Sequence, residues 1–457
     1  MNFFRLLCCF GLLVSSLYAA DFQVGVAKTA ITPPVPFWLT GYAARTKPAD
    51  SVRMELWAKA LAIQDDQGGQ AVIITTDVIG LPLEISDTVA ERLAKSNGFK
   101  RSEVLFNSSH THAGPVIWPN LRVMFEFDEK ELARVREYAA KLTDNLEAVA
   151  NEAIRKLAPA KLSSGQGTAD FAINRREQTA AGFRIGVNSK GPMDHSVPVL
   201  RVTGEDGTLR AVLFGYACHN TTTGGDFYQV NGDYAGAAQL EVEKTHPGTI
   251  AMFMILCGAD QNPNPRGTVE HADQYGRTLA AAVEKALSGE MKAVRPPLRC
   301  AYRVIDLEFA PHTREQFQTE SQNADQYRQR RARLMLEAYD QGKPIRTLSY
   351  PLQVVRFNEN LTFLAMGGEV VVDYSLRAKR DFPSENLVVA GYSNDVSCYI
   401  PSLRVLREGG YEPDISMIYY GQPGPFAENV EEVIFQNIRD LLMQVGGRES
   451  RLVSVDH

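Results

Sequence analysis

Two hydrophobic periods take turns along this chain, one of two residues and one of three to four, and their order predicts the elements. Phe22-Gln23-Val24-Gly25-Val26-Ala27 alternates as a strand does. Residues 56–63 and 71–76 read as a strand pair around Asp65-Asp66-Gln67-Gly68-Gly69, and residues 83–96 have helical spacing. Glu103-Val104-Leu105-Phe106-Asn107 is a short apolar run of the kind that becomes a buried strand. Over residues 129–157 the apolar positions Leu132, Val135, Tyr138, Leu142, Leu146 and Val149 form one stripe of a long amphipathic helix. A short strand near residues 160–164 precedes a loop, Asn174-Arg175-Arg176-Glu177. Residues 197–202 and 209–217 pair about the turn Glu205-Asp206-Gly207, and residues 249–256 are apolar enough to be buried on both faces.

Beyond a helix at residues 275–287, residues 312–339 are charged and Gln-rich, with helical character but weak apolar periodicity, as in a surface excursion. Strands recur near residues 353–358, 361–366 and 387–390, and residues 427–445 form a closing helix. Alternation of strands and helices predicts an α/β fold: one large mixed-sheet domain over residues 21–445, flanking helices, and a site at strand ends. Residues 446–457 read as a tail.

Composition changes the picture only at the ends and at the cysteines. The chain has 457 residues and a net charge of −6, so it lacks the basic footprint of a nucleic-acid binder. Residues 1–20 have the form of a signal peptide: Arg5, the apolar run from Leu6 to Val14, and small residues at Ala19-Ala20. That run is too short to span a bilayer and no later run replaces it, so the sequence predicts an exported protein without a transmembrane segment. Cys8 and Cys9 would leave with the leader. The remaining Cys218, Cys257, Cys300 and Cys398 allow one disulfide but no disulfide scaffold.

Candidate chemistry gathers where apolar strands end. Ser108-Ser109-His110-Thr111-His112-Ala113-Gly114-Pro115 sets two imidazoles one residue apart, and in an extended strand both point the same way. Such a pair suits a metal, proton transfer, or one of each. Tyr216-Ala217-Cys218-His219-Asn220 ends a second strand on an imidazole. Met366-Gly367-Gly368-Glu369 places a carboxylate after two glycines, and Asn394-Asp395-Val396-Ser397-Cys398-Tyr399 is a polar turn bearing a phenol. Each alone is more often a core or turn residue than a ligand; together they give strand-end His, His, Glu and Tyr in one chain.

The motif Ser109-His110-Thr111-His112-Ala113-Gly114-Pro115, with the ordered sites that follow it, resembles the neutral/alkaline non-lysosomal ceramidase family from about Val24 to Phe426. The resemblance implies a zinc-dependent amidohydrolase with His110, His219, Glu369 and Tyr399 as metal ligands and His112 beside the catalytic centre. It sets Arg175 and Tyr411 on positions that hold the reacting group. Nitrogen, carboxylate and phenolate donors suit zinc. Cys218 and Cys398, next to His219 and Tyr399, would point to the opposite face of an extended strand.

One position departs from the family. Its serine nucleophile lies in a loop Asp-x-Ser-Pro-Asn; here the loop is Asp260-Gln261-Asn262-Pro263-Asn264. A carboxamide cannot be the nucleophile, but it can support an oxyanion. The length that follows the resemblance leads to the expectation of no separate C-terminal β-domain of the kind longer ceramidases carry. The expected activity is hydrolysis of an amide (N-acyl) or related acyl bond in a small, lipid-like substrate, with His112, Arg175 and Asn262 catalytic and Asp260 and Tyr411 binding substrate. The alternative is a metal-stabilised binding protein of the same fold without turnover.

Overall fold

Period-two burial explains how the strands stack into layers. In Trp57–Asp65, Ala58, Ala60 and Ala62 face one way and Leu61 and Ile63 the other, all buried. The alanine side takes the long helix Glu129–Arg155, which presents Val135, Leu142, Leu146, Val149 and Ala153 to it. Each fully buried Val or Leu of that stripe contributes about 1.5–3 kcal/mol over exposure. The helix starts at Asp128, whose carboxylate accepts from Glu131 N at 2.8 Å, and it lies so close that a Cβ on Gly25 would meet Ala153 O at 2.0 Å. The opposite side, with Leu61, Ile63, Ile73, Leu105, Leu213 and Met254, packs against Val355, Phe357 and Phe363 of a second sheet.

This is a computed structural model, and it describes residues 21–358 and 360–448. The leader expected at residues 1–20, and the tail from residue 449 on, lie outside the described residues. The large sheet runs Ile250–Ile255, Leu209–Tyr216, Ser196–Gly204, Ala158–Thr168, Phe22–Ala30, Trp57–Asp65, Gln70–Thr76, Val104–Ser108, with Lys292–Ala293 added to Ala158–Thr168. Its outermost pairs at both ends are parallel and the rest antiparallel, a mixed sheet. The small sheet runs Leu298–Glu308, Thr347–Phe357, Leu361–Met366, Leu387–Ala390. Helices Val372–Asp381 and Val430–Gln444 cover its outer face. Asp233–Thr245 and Val269–Ser288 cover the other end of the large sheet. The result is four layers: helix, sheet, sheet, helix.

The two end strands of the large sheet meet. The Asn107 side chain accepts from Ile255 N at 2.9 Å and donates to Ile255 O at 3.2 Å, standing in for a ladder partner. The ends of Val104–Ser108 and of Leu209–Tyr216 are thereby brought to one place, and His110 and His219 follow them.

The predicted loop at residues 174–177 is instead a strand, Ala172–Thr179, paired with Gly182–Asn188 and Gln261–Pro263. Its charges read as exposed in sequence, but carboxylates from the 400s pair with Arg175 and Arg176 and bury them. Leu298–Glu308 was not predicted: it is an outer strand of the small sheet, and Arg299, Arg303, Asp306 and Glu308 mask its alternation. Residues 312–339 resolve into two helices, Arg314–Glu320 and Gln326–Asp340, around Phe317, Ala332 and Met335. Cys218, Cys257, Cys300 and Cys398 are all free thiols.

Candidate metal centre

His110 and His112 converge through a bend rather than through strand alternation. The strand stops at Ser108, and His110 takes a left-handed backbone, φ 63°. A non-glycine residue holds that conformation only where its surroundings enforce it. Here His110 N donates to Val78 O at 2.9 Å, His112 N donates to Asn220 O at 3.2 Å, and the Asn220 amide donates to Ser109 O. The segment is thus tied to the one carrying His219.

Both imidazoles are oriented by carbonyls behind them. His110 Nδ1 lies 2.5 Å from Ile79 O and His219 Nδ1 lies 2.9 Å from Gly258 O. A carbonyl only accepts, so each Nδ1 carries the proton and each Nε2 turns a lone pair forward. Those lone pairs face Glu369 Oε2, at 3.1 Å from His110 and 3.0 Å from His219. Glu369 Oε2 is buried and no donor is aimed at it, while its Oε1 accepts from Tyr420 Oη at 2.6 Å.

Tyr399 completes the group, its Oη 3.2 Å from His219 Nε2. Glu369 and Tyr399 are register partners in a two-residue parallel ladder, which sets their side chains next to each other. The turn before Glu369 needs Gly368: its φ is 71°, and a Cβ there would meet Cys398 O at 2.7 Å.

These donors fit a metal ion. Two lone-pair nitrogens, one orphaned carboxylate oxygen and one phenol oxygen converge with 0–3% exposure. Their spacings of 3.0–3.2 Å approach the edge of about 3.3 Å expected for a tetrahedron of zinc bonds near 2.0–2.1 Å. A third imidazole, His112, joins His110 and His219 in a set whose ring nitrogens lie within 4.8 Å of one another. Cys218 and Cys398 are buried beside the site but are not among the converging donors.

Electrostatics divide the group. Burial, then the neighbouring His110 and His219, hold His112 well below its ordinary range. Burial and the Arg175 charge push His219 down to about 4. Burial raises the Tyr399 phenol, while Arg175 opposes the rise.

Arg175 is 4% exposed and ties the rest together. It donates to Glu412 Oε1 at 2.9 Å, to Tyr399 Oη at 3.0 Å and to Asn262 Oδ1 at 3.3 Å. Asn262 Oδ1 also accepts from Thr221 Oγ1 at 3.4 Å, whereas its amide nitrogen makes no hydrogen bond among the described residues. Tyr411, half-buried, stands edge-on to Tyr399 with ring centres 5.6 Å apart. His112, also half-buried, has Nε2 3.1 Å from His110 Nε2 and no partner for Nδ1.

Asp260 differs from its expected substrate contact. It is 0% exposed, and its oxygens accept from Val372 N at 2.8 Å and Asn174 Nδ2 at 3.1 Å. Burial, then Asp373, push its carboxyl up to about 7. It holds the Asn262 loop to the helix at Val372 instead. Sequence reasoning also missed Tyr420 and Glu412; Glu412 binds both Arg175 and Arg176. The one signal available was Glu412 lying next to Tyr411.

Residues 22–292 match the family described as neutral/alkaline non-lysosomal ceramidase, N-terminal. The chain is 24% identical over 270 residues to neutral ceramidase A of Dictyostelium discoideum and 24% identical over 281 residues to neutral ceramidase of Pseudomonas aeruginosa. Those matches cover 54% and 57% of this chain but only 37% and 40% of the relatives' lengths. The solved structure of neutral ceramidase from Pseudomonas aeruginosa superposes with a TM-score of 0.73 at 18% identity, covering 92% of this chain and 74% of that one. That likeness shows the shared fold.

Proposed function

This chain belongs to the neutral/alkaline non-lysosomal ceramidase family, and from that premise we propose that it is an exported, zinc-dependent hydrolase of amide (N-acyl) or related acyl bonds. The observation that carries the reading is the convergence of His110 Nε2, His219 Nε2, Glu369 Oε2 and Tyr399 Oη, with the carboxylate oxygen left without a donor. These four residues would hold the metal. Zinc there would supply Lewis acidity to the scissile carbonyl and lower the pKa of the attacking water.

The chain's own residues supply the rest. His112 is the most exposed imidazole of the three and is neutral at working pH, so it can take a proton from water and return it to the leaving group. Arg175, held by Glu412, keeps a fixed positive charge beside Tyr399 and favours its phenolate form. Asn262, its carbonyl side engaged by Arg175 and Thr221, presents a free amide N–H to the developing oxyanion. With no serine there, hydrolysis proceeds in one displacement by water, without a covalent acyl-enzyme. Tyr411 lines the substrate's approach.

A lipid-like N-acyl substrate is supported by the names of the relatives, among them a solved ceramidase described as complexed with C2. Export is supported by the leader-like residues 1–20; among the described residues no helix is long and apolar enough to cross a membrane. The test is release of fatty acid from a panel of N-acyl amides and esters by metal-loaded protein. Release that stops on chelation and returns with zinc is expected. Metal-loaded protein that binds the panel but releases nothing would favour a binding protein that lost turnover with the serine.

A further inference from the structure

Where the two sheets diverge, at the starts of Leu361–Met366 and Leu387–Ala390, they leave a cavity of about 310 Å³. It lies at the opposite end of these strands from Glu369 and Tyr399, and no residue of the metal centre lines it. Part of its wall is apolar: Leu213 and Met254 of the large sheet look across at Leu361 and Phe363 of the small one. Its polar rim is rich in donors, with Glu290 the one acid in the wall.

Two rim residues are unsatisfied and adjacent. Ser164 is 6% exposed and its hydroxyl has no hydrogen-bond partner; a buried hydroxyl in that state costs free energy until something binds it. Its register partner is Lys292, exposed and in no ion pair among the described residues. Lys379, also on the rim, is already held by Asp194 at 2.6 Å. A free hydroxyl buried in the wall of this slot and a free ammonium exposed beside it match one acceptor-rich, singly charged head on an alkyl chain. The volume is at the low end of the roughly 300–1,000 Å³ of small-molecule sites, enough for one chain and too little for a two-chain lipid.

We propose that this inter-sheet cavity is a second binding site, separate from the metal centre, that takes a single medium-chain fatty acid with its carboxylate between Ser164 and Lys292. The claim does not depend on the reaction proposed above.

The probe is decanoate, added to the full-length protein while its melting temperature is followed. At about a hundred times the dissociation constant, a rise of about 3 °C is expected. Ser164→Ala removes a buried hydroxyl that bonds to nothing in the free protein, so it should not lower the unliganded melting temperature, and should raise it slightly, while weakening decanoate about tenfold. Leu213→Trp fills the slot and should abolish the shift; if that variant fails to fold, Ser164→Ala carries the test. His110→Ala should retain the shift. The proposal is overturned if wild-type protein shows no shift, if the shift survives unchanged in Ser164→Ala, or if His110→Ala loses it. Decanol shifting the protein as strongly as decanoate would overturn the carboxylate assignment.

Discussion

Asn262 is the residue on which the proposed chemistry turns, because its hydrogen bonds engage only the carbonyl oxygen, leaving the amide nitrogen without a partner among the described residues, and its side chain offers no nucleophile. Asn262→Ala should slow turnover by roughly 10²–10³ while leaving bound metal unchanged, and rapid-mixing kinetics should show no burst in either protein. An acyl adduct on Thr221 or Ser109, seen by mass spectrometry of quenched reactions, would replace water attack with a nucleophile from this chain. Tyr420 acts one step further out. Its hydroxyl holds Glu369 Oε1 and thereby turns Oε2 toward the imidazoles. Tyr420→Phe should weaken metal binding by about 10–100-fold, measured by chelator competition. At this scale the sequence was legible where chemistry coincides with a strand end: His110, His112, His219, Glu369 and Tyr399 could all be named from local pattern. Tyr420 could not, and Asp260 could be named but not its buried place in the fold. What decides their roles is burial and a partner more than a hundred residues away for Asp260, and a contact that no spacing encodes for Tyr420.

Among elements, the strand Ala172–Thr179 shows why residues 174–177 read wrongly as a loop. Asn-Arg-Arg-Glu has no apolar alternation, and its burial is made possible only by Glu412 and Glu408 arriving from the helical region near residue 410. The strands of the large sheet were legible because their apolar period survives without partners. The helix Leu83–Asn97 carries a different prediction. Its first N–H donates to Asp395 Oδ1 at 3.0 Å, and burial pushes that carboxyl up to about 6 from an ordinary 3.8. The folded chain thus holds this proton more tightly than the unfolded chain does. Asp395 therefore contributes stability that is fully present below about pH 4 and is lost as pH rises through about 6. Asp395→Asn keeps an acceptor for Leu83 N and should flatten the fall in melting temperature between pH 4 and 7; an unchanged slope would contradict the assignment.

Across the whole molecule, the layered fold gathers ligands from opposite ends of the chain. His110 and His219 hang from the large sheet, while Glu369 and Tyr399 pair in the short ladder that the chain forms after leaving strands Leu361–Met366 and Leu387–Ala390 of the small one. A metal there ties the two sheets together, and since it binds the native arrangement alone, chelation should lower the melting temperature. The four-layer architecture itself was only half legible: an α/β fold with a mixed sheet could be read, but not its division into two sheets, because buried strands of both carry the same apolar runs. The most direct test of the account is elemental analysis of the purified protein beside four variants. One zinc per chain is predicted in the wild type, Cys218→Ala and Cys398→Ala, with most of it lost in His110→Ala and His219→Ala. Wild-type protein that takes up no zinc, or histidine variants that keep it, would contradict the assignment of this site.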